Sequence, residues 1–163
     1  MSNKRHNVIS KDSVYMLIAK IISKRSKDPN TQVGACIVNA DKRIVGVGYN
    51  GFPAGCSDDC FPWERDGDFL DTKYPYVVHA ELNAILNSIQ SLKGCTIYVS
   101  LFPCNECAKA IIQSGIQRVV YESDKYSGTQ GNIASKKMFR DAGVELVQLP
   151  FITQVEVTQS EEE

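Results

Sequence analysis

Apolar residues recur at helical spacing in the first stretch of the chain, at Val14, Leu17, Ile18, Ile21 and Ile22. That period predicts a helix with one buried face. It opens near Ser10, with Asp12 at the positive end of the dipole, and fades before the breaker cluster Asp28-Pro29-Asn30. Two β-rich runs follow, over 33–38 and 44–49, joined by a polar loop in the manner of a hairpin. From 50 to about 75 the regular pattern gives way to Gly, Pro, Asp and isolated aromatics. Loops of this length are uncommon unless functional or disordered. Phe52, Phe61, Trp63 and Phe69 give this one side chains to pack with, which predicts an ordered loop.

A second helix is predicted over 79–91, burying Leu82, Ile85, Leu86 and Ile89. Residues 96–101 read as a strand, and 104–113 as a helix that starts after Pro103 and stops at Gly115. A strand over 118–121, a helix over 133–142 and a strand over 144–149 complete the pattern. Strands separated by single helices mark parallel crossovers, here attached to an initial hairpin. The expectation is an α/β fold, a five-stranded mixed sheet with helices on both faces, in one domain spanning 1–163. The polar, acidic tail from about 153 to 163 is expected to fray.

Composition narrows the function classes. Eighteen Lys+Arg against nineteen Asp+Glu leave a net charge of −1. That balance disfavours a nucleic-acid polymer as the partner, because such binding rests on many uncompensated basic contacts. No apolar run approaches the roughly 20 residues that span a bilayer. The amino end lacks the apolar stretch of a signal peptide, so the expected location is cytoplasmic. Six Cys are then better read as reduced thiols than as a disulfide framework.

The thiols matter more beside the two His, His6 and His79. Cys104 and Cys107, at i and i+3, lie on one face of a helix and can grip one ion. Placed in its first turn, they sit near free N–H groups that favour thiolates. A third ligand is needed, and His79 is the candidate because His6 belongs to a polar terminus. Two thiolates and a neutral imidazole balance zinc and leave a fourth position open, the mark of a catalytic site. Glu81, two residues on from His79, would face away from it inside a regular helix. At an irregular helix start it can reach the open position, and it then acts as a proton shuttle and not as a ligand.

His79-Ala80-Glu81 with Pro103-Cys104-Asn105-Glu106-Cys107 is the signature of zinc deaminases. The segments 26–35, 48–53, 79–84, 101–107 and 123–126 resemble the deoxycytidylate deaminase branch of the cytidine deaminase-like superfamily, in its animal and viral form. The resemblance runs from about Ile18 to Val144 and implies a three-layer α/β/α fold. It implies hydrolysis of dCMP to dUMP and ammonia, which supplies dUMP for thymidylate synthesis, with Zn2+ on His79, Cys104 and Cys107. By the same resemblance, the backbone at Ala80 and Leu101 meets the base, and Asn50 meets the sugar. Asn30 and Tyr126, with Arg25 and Lys125 behind them, are the matches for the phosphate. The resemblance further implies a homohexamer, activated by dCTP and inhibited by dTTP with Mg2+, with Gly51 and Phe52 in the effector region.

Several alternatives stay open at this point. The chain could belong to another deaminase branch, acting on cytidine, guanine or tRNA adenosine. It could be a zinc-stabilised binding module without activity, or a homologue degraded to a regulatory subunit. Cys56 and Cys60 could join a second zinc, although no His besides His6 is spare, and ordinary loop thiols are the simpler reading. Cys36 and Cys95 read as core residues, and Phe61, Trp63 and Phe69 as loop packing or subunit contact.

Overall fold

The structure, a computed structural model, describes residues 3–160. Its sheet joins β1 (Gly34–Val38), β2 (Ile44–Tyr49), β3 (Thr96–Leu101), β4 (Arg118–Ser123) and β5 (Glu145–Gln148) in the order β2-β1-β3-β4-β5. β1 pairs antiparallel with β2 and β3, whereas β3, β4 and β5 run parallel. Strand alternation divides the core between the two faces. Cys36, Val38, Tyr98 and Val120 meet α1 (Lys11–Ser23) on one side. Ile37, Ile97, Val99 and Val119 meet the other three helices on the opposite side. These are α2 (Ala80–Leu86), α3 (Asn105–Gln113) and α4 (Gln130–Asp141). The predicted three-layer α/β arrangement and element order are therefore present, and the long loop adds one turn of 3-10 helix at Phe69–Asp71.

Several local expectations need correction. The buried stripe of α1 is Tyr15, Met16, Ala19 and Ser23, while Val14 and Ile21 are exposed. Close approach explains the rotation: a Cβ on Gly34 would stand 1.7 Å from the carbonyl oxygen of Ala19. The sheet thus seats the helix along its smallest residue, with the branched side chains at the flanks. α2 ends at Leu86, so Leu86 and Ile89 are exposed instead of buried, and Leu92 enters the core. Asn87 ends that helix with its side-chain amide donating to the Val47 carbonyl of β2, a competing bond that disfavours another turn. α4 starts three residues earlier than expected because Thr129 caps it, accepting from the Asn132 N–H.

The long loop packs through aromatic rings, with Phe52 and Trp63 centroids 4.1 Å apart and Phe61 edge-on to Tyr76 at 5.0 Å. Phe69 stands outside this cluster and is exposed. The chain beyond β5 is tied down at Thr153, whose N–H and hydroxyl both donate to Glu122 Oε2, so the expected fraying does not begin at 153. Residues 161–163 of the acidic tail lie outside the described residues. Among the described residues no helix is long and apolar enough to cross a membrane.

Candidate active site

Two helix starts meet at the C-terminal edge of the parallel strands. His79 is the N-cap of α2 and Cys104 the N-cap of α3, each with extended backbone angles. The first lies over β2 because Gly48 has no side chain: a Cβ there would meet Ala84 N at 2.3 Å and Ala80 O at 2.4 Å. The second follows β3 directly through Pro103, whose carbonyl accepts from the Ser135 hydroxyl of α4 at 2.8 Å. His79 Nδ1 stands 3.4 Å from the sulfurs of both Cys104 and Cys107. These three donor atoms all lie within 4.8 Å of one another, and they are the one such group among the described residues.

The spacing fits zinc. At usual Zn–N and Zn–S bond lengths and tetrahedral angles, a nitrogen and a sulfur ligand stand about 3.6 Å apart. Two sulfurs and one imidazole are also the donor set of known catalytic sites with an open fourth position. Without metal, the hydrogen bond with Cys107 pulls the Cys104 thiol down to about 4 against the effect of burial, and His79 adds to the fall. Cys107 moves up, through its hydrogen bond to Cys104 and through burial. The hydrogen bond with Cys104 raises His79 to about 9 although burial opposes it. The metal-free site therefore holds protons on His79 and Cys107 that an ion must displace.

Glu81 is buried beside this group, 4% exposed, in the first turn of α2. Burial raises its pKa, with His79 pulling the other way. A carboxyl whose pKa is raised is suited to hold and release a proton near neutral pH.

Glu81, His79 and Cys104 form one end of a cavity of about 320 Å3. Its volume lies at the small end of the range for small-molecule sites. Ala80, Leu101, Asn50 and Tyr126 also line it, while Asn30, Arg25 and Lys125 do not. Asn30 instead donates its backbone N–H to Asp28 Oδ1 at 2.8 Å. Lys125 holds its ammonium 5.0 Å from the Tyr126 ring centroid. Burial alone would raise the Tyr126 hydroxyl, but Lys125 and a hydrogen bond with Thr31 bring it below its ordinary value. Asn50 reaches the cavity with its amide engaged: Oδ1 accepts from Val33 N and Nδ2 donates to Thr31 O, both at 2.9 Å.

Sequence reading missed Asp28, Arg65 and Lys73, all of which line the cavity. Lys73 and Asp28 form an ion pair at 2.5 Å, with side chains 7% and 2% exposed. Asp28 Oδ1 also accepts from the N–H groups of Asn30 and Thr31, so one carboxylate organises the whole turn. Arg65 is exposed and donates from Nε to the Tyr74 hydroxyl at 3.3 Å. The available signal was weak: two cations inside a loop whose aromatics suggested only packing.

Gly51 and Phe52 lie away from the cavity lining. Gly51 exchanges two backbone hydrogen bonds with Val78, the residue before His79. Phe52 belongs to the aromatic cluster of the loop. Cys36 and Cys95 are buried, Cys56 is half-buried and Cys60 exposed, and all are free thiols.

Residues 9–123 match the family described as the cytidine and deoxycytidylate deaminase zinc-binding region. A deoxycytidylate deaminase of Homo sapiens is 55% identical over 143 residues, covering 86% of this chain and 80% of that protein. A probable deoxycytidylate deaminase of Drosophila melanogaster is 54% identical over 151 residues, covering 88% of this chain and 74% of that protein. The crystal structure of a dCMP deaminase from cyanophage S-TIM5 in complex with dCMP and dUMP superimposes with a TM-score of 0.72. It is 27% identical, and the match covers 88% of this chain and all of that one.

Proposed function

This chain belongs to the cytidine and deoxycytidylate deaminase zinc-binding family, and on that footing we propose that it hydrolyses dCMP to dUMP and ammonia. One observation carries the reading beyond the family. His79, Cys104, Glu81, Arg65 and Tyr126 line one small cavity, and Cys107 completes the donor group behind His79 and Cys104. One end has donors for zinc and a proton carrier; a guanidinium is available to a phosphate on the same cavity.

Zinc held by His79, Cys104 and Cys107 would supply a Lewis acid that makes water nucleophilic at neutral pH. The rest of the chemistry belongs to side chains of this chain. Glu81 accepts a proton from the attacking water and delivers it to N3 of the pyrimidine. It then carries the second proton to the 4-amino nitrogen, which leaves as ammonia, so that dCMP and water become dUMP and ammonia. Ala80 and Leu101 belong to the cavity lining, and their backbone is the part proposed to meet the base. Asn50 contributes by holding the turn at 28–33 against the cavity, through its bonds to Thr31 and Val33. Arg65 and Tyr126 present polar groups to the 5′-phosphate, whose dianion matches a guanidinium in charge and shape.

Control by dCTP and by dTTP with Mg2+, hexameric assembly and a cytoplasmic location complete the proposal. Regulation and assembly are supported by the resemblance, which puts Gly51 and Phe52 in the effector region. Turnover at rising dCTP and dTTP, with native mass in parallel, tests that part.

Ammonia release from dCMP, deoxycytidine, dCTP and guanine tests the main reading. The expected result is dCMP as the preferred substrate, by a clear margin over deoxycytidine. Preference for deoxycytidine or guanine would overturn it.

A further inference from the structure

β2 lies at the edge of the sheet, so alternate carbonyls along it face away from β1 with no further strand to meet them. Two of these carbonyls are met by α2. Asn83 Nδ2 donates to Tyr49 O at 2.7 Å, and Asn87 Nδ2 donates to Val47 O at 3.0 Å. The repeats match: helix positions four apart are separated by about 6 Å along the axis, and strand positions two apart by about 6.7 Å. Gly46 and Gly48 permit the approach, since a Cβ on either would come within 2.6 Å of α2 backbone.

The two asparagines differ in what lies beyond them. Asn83 also reaches Val78 O, at 3.5 Å. Val78 is bonded to Gly51 in both directions and immediately precedes His79. Asn83 therefore spans the joint from which the imidazole and the Glu81 carboxyl emerge. Asn87 sits at the far end of the helix, at an exposed position, and holds only the strand. A helix of seven residues has little stability of its own, so its placement depends on such contacts.

We propose that Asn83 is a positioning residue of the zinc and proton-transfer site, fixing the first turn of α2 by joining the carbonyls of Tyr49 and Val78. It acts through His79 and Glu81: it is itself neither a metal donor nor a residue of the cavity lining, and its backbone N–H donates to the His79 carbonyl at 3.0 Å. The inference rests on the roles given to His79 and Glu81 above.

The test compares Asn83→Ala, Asn83→Ser and Asn87→Ala with the unaltered protein. Zinc affinity is read by chelator competition, dCMP turnover on zinc-saturated protein, and the thermal midpoint on the same samples. Asn83→Ala is expected to weaken zinc binding about 10- to 100-fold, the range for groups that orient a metal ligand. Its kcat should fall while KM stays within about threefold, because substrate contacts remain. Asn87→Ala should lower the thermal midpoint yet keep zinc affinity and kcat within about twofold. Asn83→Ser retains a donor hydroxyl and should fall between; it carries the same comparison if Asn83→Ala does not fold. Unchanged zinc affinity in the Asn83 variants, or equal loss in the Asn83 and Asn87 variants, overturns the proposal. Failure of the unaltered protein to turn over dCMP would refute the substrate reading, while the zinc comparison would still decide the role of Asn83.

Discussion

Asp28 and Lys73 stand 45 residues apart in sequence and form an ion pair at the cavity wall, almost wholly removed from solvent. The pair joins the turn after α1 to the end of the long loop. Removing one member leaves the other charge buried without a partner, which costs far more than losing an exposed pair. Lys73→Met should lower stability by about 3 kcal/mol, read as a shift of the urea midpoint at constant slope. A loss below a few tenths of that size would mean that water reaches Asp28 freely.

Arg65 offers a guanidinium at the cavity; its Nε donates to the Tyr74 hydroxyl, and among the described residues it forms no ion pair. Arg65→Ala is expected to raise KM for dCMP about tenfold, the effect of losing one charge-assisted bond. The same variant should leave deoxycytidine turnover nearly unchanged, since that substrate has no phosphate. Equal loss on both substrates would place Arg65 in support of the loop and not at the phosphate.

The six thiols divide by environment. Cys36 is pushed up to about 12 by burial, and Cys95 is raised by the same cause, so both should resist a thiol reagent at pH 8. Cys56 and Cys60 should react in the zinc-loaded protein. Chelation should then release Cys104 and Cys107, and denaturation should bring the total to six. Reaction of Cys104 before chelation would contradict its role as a ligand.

Zinc binding should strengthen as pH rises toward 9. His79, raised to about 9 in the metal-free site, keeps its proton below that pH, and the ion must displace it. Each proton displaced contributes about tenfold in affinity per pH unit. Chelator competition between pH 6.5 and 8.5 checks this, and a flat profile would mean that neither His79 nor Cys107 holds a proton in the free protein.

Periodicity and motif spacing were enough to read the element order, the mixed sheet and the three candidate zinc donors that the structure brings together. Each of those signals is local. His79 and Cys104 both open helices, and helix openings are written in a few adjacent residues. What escaped was non-local. The α1 stripe is set by the contact of Ala19 with Gly34, where the smallest side chains decide the seating. Leu86 and Ile89 carry a helical period, but the bond from Asn87 to β2 ends the helix before that period can matter. Lys73 and Arg65 reach the cavity by the path of an irregular loop, which has no period to follow. Asn83 gave no signal either, since its partners are backbone carbonyls and so have no side-chain identity.

The most direct test of the central account is Glu81→Ala, assayed for zinc content and for ammonia release from dCMP on the same sample. Glu81 is not one of the three donor residues, so the variant should keep one zinc per chain. Loss of a positioned proton carrier should reduce turnover by about 1,000-fold. Turnover that survived with zinc bound would contradict the assignment of Glu81 as the group that moves the protons.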